Sequence, residues 1–306
     1  MALKFKWVWV CVLISALVIG IAACGGDEES SGTQTSAPPK GTVSKDAFLK
    51  RVSQLNADLK TCELEMDMKM AMKGWDGEEE EEINVKISAD ITGAMDLPAK
   101  KMRMIMEMSM EVPEELKEPD TPDSIAMEMY MIEDTIYMNM GEAFGGWIKM
   151  AIPESEWGTV WEEQNIMNQQ TELLLNAYNI EIVGEKTVNG VKCYEVTMEP
   201  DLKQIMGLFG DQLGDYLSED MDPSEIEEAM EMIKDLSIRQ WYEKETFLPV
   251  RTEASMSFED EGENISMDLT MEMNMKYSRI NKPVTIELPD EAKDAVNMGE
   301  WSETML

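Results

Sequence analysis

Methionine alternates with mostly polar residues over the stretch 101–112, where five methionines occupy every second position. In a helix, a step of two residues turns by about 200°, so this spacing would spread the methionines around the whole helix. In a strand, it places all five on one face and mostly polar residues on the other. The pattern therefore predicts several strands that share one methionine-lined face. Similar alternation occurs at 66–72, 127–131, 138–140 and 267–275.

The remaining pattern predicts helices and strands around one large antiparallel sheet. Apolar residues spaced three and four apart behind Ser44 predict a helix at 45–59 with Ser44 as its N-cap. Asn189-Gly190 predicts a tight hairpin turn, because both residues tolerate positive φ angles. The order of elements predicts the α+β class. Further helices are predicted at 154–178, 201–217 and 223–236, and strands at 61–73, 83–93, 100–112, 124–131, 135–140, 145–150, 181–185, 191–198, 237–242, 249–258 and 264–277, before an extended segment at 283–289.

The N-terminus has the pattern of an export leader. Lys4 and Lys6 precede an apolar run at 7–21, which at about 15 residues is short for a membrane span of about 20. Ile-Ala-Ala-Cys at 21–24 resembles the lipobox of bacterial lipoproteins, which implies cleavage before Cys24 and a diacylglyceryl group on its thiol. The alternatives are an uncleaved anchor helix and an ordinary secretory leader.

This interpretation divides the chain into four segments. Residues 1–23 are the expected signal peptide, and residues 24–42, rich in Gly, Ser, Thr and Pro, are a flexible tether. Residues 43–289 form the domain and 290–306 a polar tail. The expected location is extracytoplasmic, with a lipid anchor in the outer face of the cytoplasmic membrane, or in an outer membrane where the host has one.

Composition excludes several function classes. The 62 acidic and 26 basic residues give a net charge of −36, which disfavours nucleic acid and anionic lipid surfaces as electrostatic partners. Histidine is absent, which removes the commonest general base and transition-metal ligand. The sequence contains no Gly-x-Ser-x-Gly elbow and no phosphate-binding loop. We therefore expect no enzyme, no cofactor and no metal site, with the acidic runs at 78–82 and 259–263 as solvated turns rather than Ca²⁺ ligands.

Cys62 and Cys193 are the cysteines that remain beyond the anchor, since Cys11 lies in the leader. In an exported chain they can form one disulfide. Cys62, however, falls on the apolar face of its strand, and the face of Cys193 is ambiguous. Two separate buried thiols are the equal alternative.

Three parts of the sequence carry a resemblance to a known family: 135–138 with 146–149, 183–196, and the hairpin 240–251 with its Trp, Thr, Leu-Pro and Arg. The pattern resembles the LolA/LppX-like lipoprotein fold, of the type of LppX, LprA, LprF and LprG. This resemblance implies a strongly curved sheet, a half-barrel, wrapped around a few α-helices, and a cavity that carries lipids or lipoproteins. Many relatives have no known ligand. The resemblance covers about residues 43–288.

The methionine face admits three interpretations. It can be plain core, since methionine fills irregular gaps, or it can line a cavity for apolar ligands, since flexible thioethers adapt to varied shapes. It can also bind Cu(I), which soft sulfur suits, although methionines spread over several strands disfavour this. We expect a lipid or acyl-chain carrier without catalysis, and as the alternative an accessory protein with a closed core that acts through protein contacts. The candidate lining residues are Met66, Met68, Met70, Met102, Met104, Met106, Met108, Met129, Met271 and Met273.

Overall fold

The computed structural model describes residues 43–56, 59–76, 81–113, 117, 122–139, 141, 146–153, 179–199, 232–261 and 265–297. They form one α-helix, α1 (Lys45–Asn56), one short 3-10 helix (Asp290–Asp294) and twelve strands. The strands are β1 (Thr61–Asp76), β2 (Glu81–Asp96), β3 (Lys101–Glu111), β4 (Ser124–Ile132), β5 (Thr135–Asn139), β6 (Trp147–Ala151), β7 (Asn179–Val188), β8 (Val191–Glu199), β9 (Ile233–Glu243), β10 (Pro249–Glu261), β11 (Ile265–Ser278) and β12 (Val296–Asn297).

Helix α1 begins as its sequence predicts. The Ser44 hydroxyl accepts a hydrogen bond from the Ala47 amide at 3.3 Å, and the Ser44 carbonyl accepts one from the Phe48 amide at 2.9 Å. The N-cap prediction is confirmed, and the helix ends three residues earlier than expected. The helices predicted at 154–178 and 201–217 lie outside the described residues, as does most of the one at 223–236. Residues 233–236 belong to β9, so the helix prediction is wrong there.

All twelve strands form one sheet, in the order β12-β6-β5-β4-β3-β2-β1-β11-β10-β9-β8-β7. Neighbouring strands are antiparallel except β12 and β6, which are parallel. The large antiparallel sheet is therefore confirmed. With one α-helix among the described residues, this part of the chain is mostly β rather than the predicted α+β. None of the described helices has the length and hydropathy that a membrane span requires.

The two faces of the sheet differ in chemistry. We call the face that carries Met66, Met68 and Met70 the methionine face, and the opposite one the polar face. The main core cluster lies on the methionine face, where Phe48 and Val52 of α1 pack against the sheet. On the polar face charged and amide side chains pair across strands, as in the hydrogen bonds of 2.6 and 2.5 Å that link Arg251, Asn274 and Asp67.

The C-terminal segment covers part of the polar face. Ile286 is buried with Ala94 and Tyr130, and β12 adds to the edge of the sheet beside β6. Ala292 and Ala295 are also buried. Ordered structure thus continues through Asn297, eight residues into the segment 290–306 that the sequence marks as polar.

Several strand boundaries differ from prediction because charged residues extend the strands. β1 continues through Asp76, three residues past its predicted end, and β2 begins at Glu81, within the acidic run 78–82 that was predicted as a turn. The acidic residues 259–261, also predicted as a turn, belong to β10. The tight turn between β7 and β8 is confirmed, with φ angles of 49° at Asn189 and 82° at Gly190.

Candidate functional site on the methionine face

Strand register assembles the methionines into rows that cross the sheet. In the centre of the sheet, Met66, Met68 and Met70 of β1 pair with Met275, Met273 and Met271 of β11. Towards one edge, three of the five β3 methionines pair with methionines of β4. All ten candidate lining residues therefore lie on one face, as the alternation predicts. That they line a cavity stays a prediction. The pairs between β3 and β4 are Met102 with Met131, Met104 with Met129 and Met106 with Met127.

Exposure divides the methionine face into two parts. Met66, Met68, Met70, Met271 and Met273 are each at most 8% exposed. Farther along β3, and on β4 and β5 apart from the buried Met131, the methionines are only half-buried. We call this second group the methionine patch. It consists of Met104, Met106, Met108, Met127, Met129 and Met138.

Aromatic side chains cover the methionine face at the β8–β9 half of the sheet. Phe48 of α1 is fully buried, with its ring centroid 5.1 Å from that of Tyr242, 6.0 Å from Phe247 and 6.3 Å from Tyr194. The Phe48–Tyr242 and Phe48–Tyr194 pairs are edge-to-face, an arrangement that adds to the free energy of burial. Helix α1 is thus fixed over the β8–β9 half of the sheet.

A buried polar cluster lies below α1. The Tyr242 hydroxyl donates a 2.6 Å hydrogen bond to Gln240 Oε1, and Gln240 Nε2 donates one of 3.3 Å to the Thr252 hydroxyl. Gln240 and Thr252 are 0% and 2% exposed, and burial raises the pKa of Tyr242. Sequence analysis missed this cluster. The available signal was a glutamine in phase with the apolar residues Ile238 and Tyr242 of its strand.

Cys62 and Cys193 are free thiols on opposite faces of the sheet, so the disulfide is absent from the structure. Cys62 packs in the main cluster on the methionine face, whereas Cys193 packs with Val188 and Trp241 on the polar face. Burial, and then the charge of Glu63, raises the pKa of Cys62 to about 11. Burial likewise raises the pKa of Cys193. Both thiols are therefore protonated at neutral pH.

The described residues offer little for catalysis. They contain no group of three or more His, Cys, Asp or Glu side chains that could hold a metal ion. One hollow of about 170 Å³ has polar-face side chains such as Glu65, Asp90 and Lys276 in its lining. Another of about 320 Å³ lies beside Lys86 and Glu111. Neither resembles an apolar ligand cavity. Cys24 lies outside the described residues.

The sequence matches a family model over residues 44–297. The chain belongs to this family, which is described as "Family of unknown function (DUF6612)". The matched span agrees with a domain that includes the C-terminal strand. Among curated proteins, none matches this sequence significantly.

Among solved structures, the chain is similar to the mycobacterial lipoproteins that its sequence resembles. LprF from Mycobacterium bovis is 16% identical, with a TM-score of 0.41 over 79% of this chain and 95% of LprF. LppX from Mycobacterium tuberculosis is 15% identical, with a TM-score of 0.37 over 80% of this chain and all of LppX. The resemblance stated from the sequence is thus found again among structures. Both likenesses are distant, and neither assigns a ligand to this chain.

Proposed function

We propose that this protein is an extracytoplasmic lipoprotein that binds or shuttles an apolar ligand, a lipid or acyl chain, on its methionine patch. Cys24 carries the lipid that holds the chain at a membrane, and residues 24–42 give the domain its reach. The observation that carries the proposal is the half-burial of six methionines on three adjacent strands. Such a patch leaves apolar surface for a ligand that the buried half of the same face does not.

The size of the patch suits an acyl chain. From Met104 to Met108, β3 advances about 13 Å, and the patch is three strands wide. Burial contributes about 0.8 kcal/mol for each methylene, so five shielded methylenes correspond to millimolar binding and ten to about micromolar. Flexible thioethers would let the patch follow chains of different shape.

The proposed activity is transport or storage and requires no reaction. Non-catalytic binding is consistent with the absence of histidine, the commonest general base, from the sequence. We propose no cofactor and no nucleic-acid partner for this protein, since its net charge of −36 repels phosphates.

The second candidate is a non-catalytic accessory protein whose methionine-rich core is closed and which acts through protein contacts. It is favoured by the buried half of the face, where Met70 is 3% and Met271 2% exposed. The two candidates differ in one respect: a carrier takes up lipid on the patch, and a closed core does not.

Native mass spectrometry with lipid extraction distinguishes them, on the chain from Val43 onward purified from its host. We expect lipid at a fixed stoichiometry in the wild type. A Met106→Asp variant should lose it, because an unpaired carboxylate on the patch is costly to bury. The matched control is Ile105→Asp, which puts the same charge at the next residue of β3, also half-buried but on the polar face.

The Ile105→Asp variant should retain the lipid, and circular dichroism should show that both variants fold. An apo mass for the wild type, with no uptake when lipid is offered, would support the closed-core protein instead.

A further inference from the structure

The methionine patch brings six thioethers together where solvent reaches the methionine face. Strand register places Met104, Met129 and Met138 in one row across β3, β4 and β5, and Met106 opposite Met127 in the next row. All six members of the patch are half-buried. The candidate lining residues of β1 and β11 are each at most 8% exposed. The same face therefore holds an accessible group of methionines and a protected one.

A thioether that solvent reaches can be oxidised without a catalytic residue or a cofactor. The sulfur lone pair attacks one oxygen of hydrogen peroxide, and the O–O bond breaks as the S–O bond forms. The second oxygen takes up the proton of the first and leaves as water. Methionine loses two electrons and becomes methionine sulfoxide, while the peroxide is reduced. Because exposure controls this reaction, the accessible methionines should react first.

The two described cysteines compete poorly for the oxidant. Cys62 is 1% exposed and Cys193 is 0% exposed. Burial raises the pKa of both thiols, so the reactive thiolate is scarce at neutral pH. A peroxide in solution therefore meets the patch before it meets either thiol.

Oxidation would make the patch polar. Met106 lies between Ile91 of β2 and Met127 of β4, and neither neighbour has a side chain that can donate a hydrogen bond. The sulfoxide oxygen would thus depend on water for its hydrogen bonds. An acyl chain on the patch would remove that water and leave a polar group unpaired. Each covered sulfoxide should therefore weaken lipid binding by at least about tenfold.

We propose that the methionine patch is a site of reversible oxidation by peroxides, and that its oxidation releases the apolar ligand. The release step rests on the proposed function, whereas the oxidation site rests on exposure alone. The buried methionines of β1 and β11 keep the sheet packed while the patch is modified.

Peptide mapping by mass spectrometry tests the oxidation site on the full-length chain in detergent, treated with increasing concentrations of hydrogen peroxide. We expect the patch methionines to gain one oxygen atom at least about fivefold faster than Met66, Met68 and Met70. Circular dichroism should show that the fold persists while the rates are measured. Equal rates in the two groups would overturn the proposal.

Native mass spectrometry of the same samples tests ligand release. The probe is dipalmitoylphosphatidylcholine, a saturated lipid, offered before oxidation, after oxidation and after repair by methionine sulfoxide reductases. The affinity for the probe should fall by at least about tenfold on oxidation and recover on repair. Recovery separates release from lasting damage to the fold. An oxidised, folded chain that keeps its lipid would overturn the release step.

Leucine variants locate the methionines responsible. Leucine conserves the volume of methionine but has no sulfur to oxidise. When all six patch methionines are changed to leucine, peroxide should no longer alter the affinity that this variant has for the probe. The matched control is Met150→Leu, because Met150 is 44% exposed, pairs with Ile136 and lies outside the patch. Peroxide should release lipid from this control as it does from the wild type, and protection by Met150→Leu would contradict the assignment to the patch.

Failure of this proposal can be told from failure of the proposed function. An unoxidised wild type that takes up no lipid would refute the proposed function and the release step with it, and the peptide map would still decide whether the patch is the oxidation site. A wild type that takes up lipid but shows equal oxidation rates would refute the oxidation site alone.

Discussion

Gly93 of β2 leaves the space that Leu64 of β1 occupies. The two residues are paired across the strands, and Leu64 is 5% exposed. A Cβ atom added at Gly93 would lie 2.9 Å from Leu64 Cγ and 3.2 Å from each of its Cδ atoms. Because Cγ is close to the backbone, Leu64 cannot avoid this contact by rotating only its tip. We therefore expect Gly93→Ala to destabilise the fold.

The magnitude follows from two opposing effects. Overpacking a core by one methyl group costs about 1–3 kcal/mol. Replacing glycine with alanine in a strand recovers about 0.5–1 kcal/mol of backbone entropy. The net loss should be about 0.5–2 kcal/mol. Leu64→Ala alone should cost about 2–5 kcal/mol, and the double variant should cost about 1–3 kcal/mol less than the sum because the overlap disappears.

Urea unfolding followed by tryptophan fluorescence measures these free energies, with midpoints that shift at a constant m-value. Gly184→Ala in β7 is the matched control, since a Cβ atom there meets nothing within 4 Å, and we expect no loss of stability. If Gly93→Ala and Leu64→Ala add within about 0.5 kcal/mol, the two sites are independent and the steric explanation is wrong.

Two further predictions concern the core. Burial raises the pKa of Cys62 from 9.0 to about 11, so the unfolded chain loses this proton at a lower pH than the folded protein does. The contribution of Cys62 to stability should be constant well below pH 9, fall by about 2 kcal/mol by pH 11 and level off after a loss of about 3 kcal/mol above that pH. Cys62→Ala should lack this part of the pH dependence in urea unfolding. Phe48→Ala should cost about 3–5 kcal/mol, because it removes a fully buried ring between three aromatic neighbours, whereas exposed Lys50→Ala on the same helix should cost almost nothing. Thermal unfolding measures this difference, and equal values for the two variants would show that α1 does not depend on its aromatic contact.

The period-two pattern was sufficient to locate the strands, because each side chain of the central strands has a fixed face. The Ser44 cap and the Asn189-Gly190 turn could also be predicted, since each depends on a few neighbouring residues. The order of the strands in the sheet could not be predicted. Local sequence does not specify that β1 pairs with β11 as well as β2, and the methionine pairs between β1 and β11 exist only through that pairing.

Other features were missed because their signals are short or mixed. Two buried alanines and a two-residue strand after Pro289 show no periodicity, so the end of the domain resembled a tail. Val191 and Glu195 share a face of β8 with Cys193. Because one is apolar and the other charged, the sequence did not indicate on which face of the sheet the thiol lies. Gln240 could be recognised only as a polar residue at an apolar position, without an indication of its partners Tyr242 and Thr252.

The central position of β1 has a consequence for how the chain matures. Met66 and Met275 are direct neighbours in the sheet but lie more than 200 positions apart in the sequence. While the polypeptide is synthesised, β1 therefore cannot pair with β11 until almost the whole chain has been made. Contacts between such distant segments form slowly, and unpaired apolar strands are prone to aggregate meanwhile. Glu65, Asp67 and Lys69 alternate with the methionines of β1, and their charges oppose aggregation of the unpaired strand.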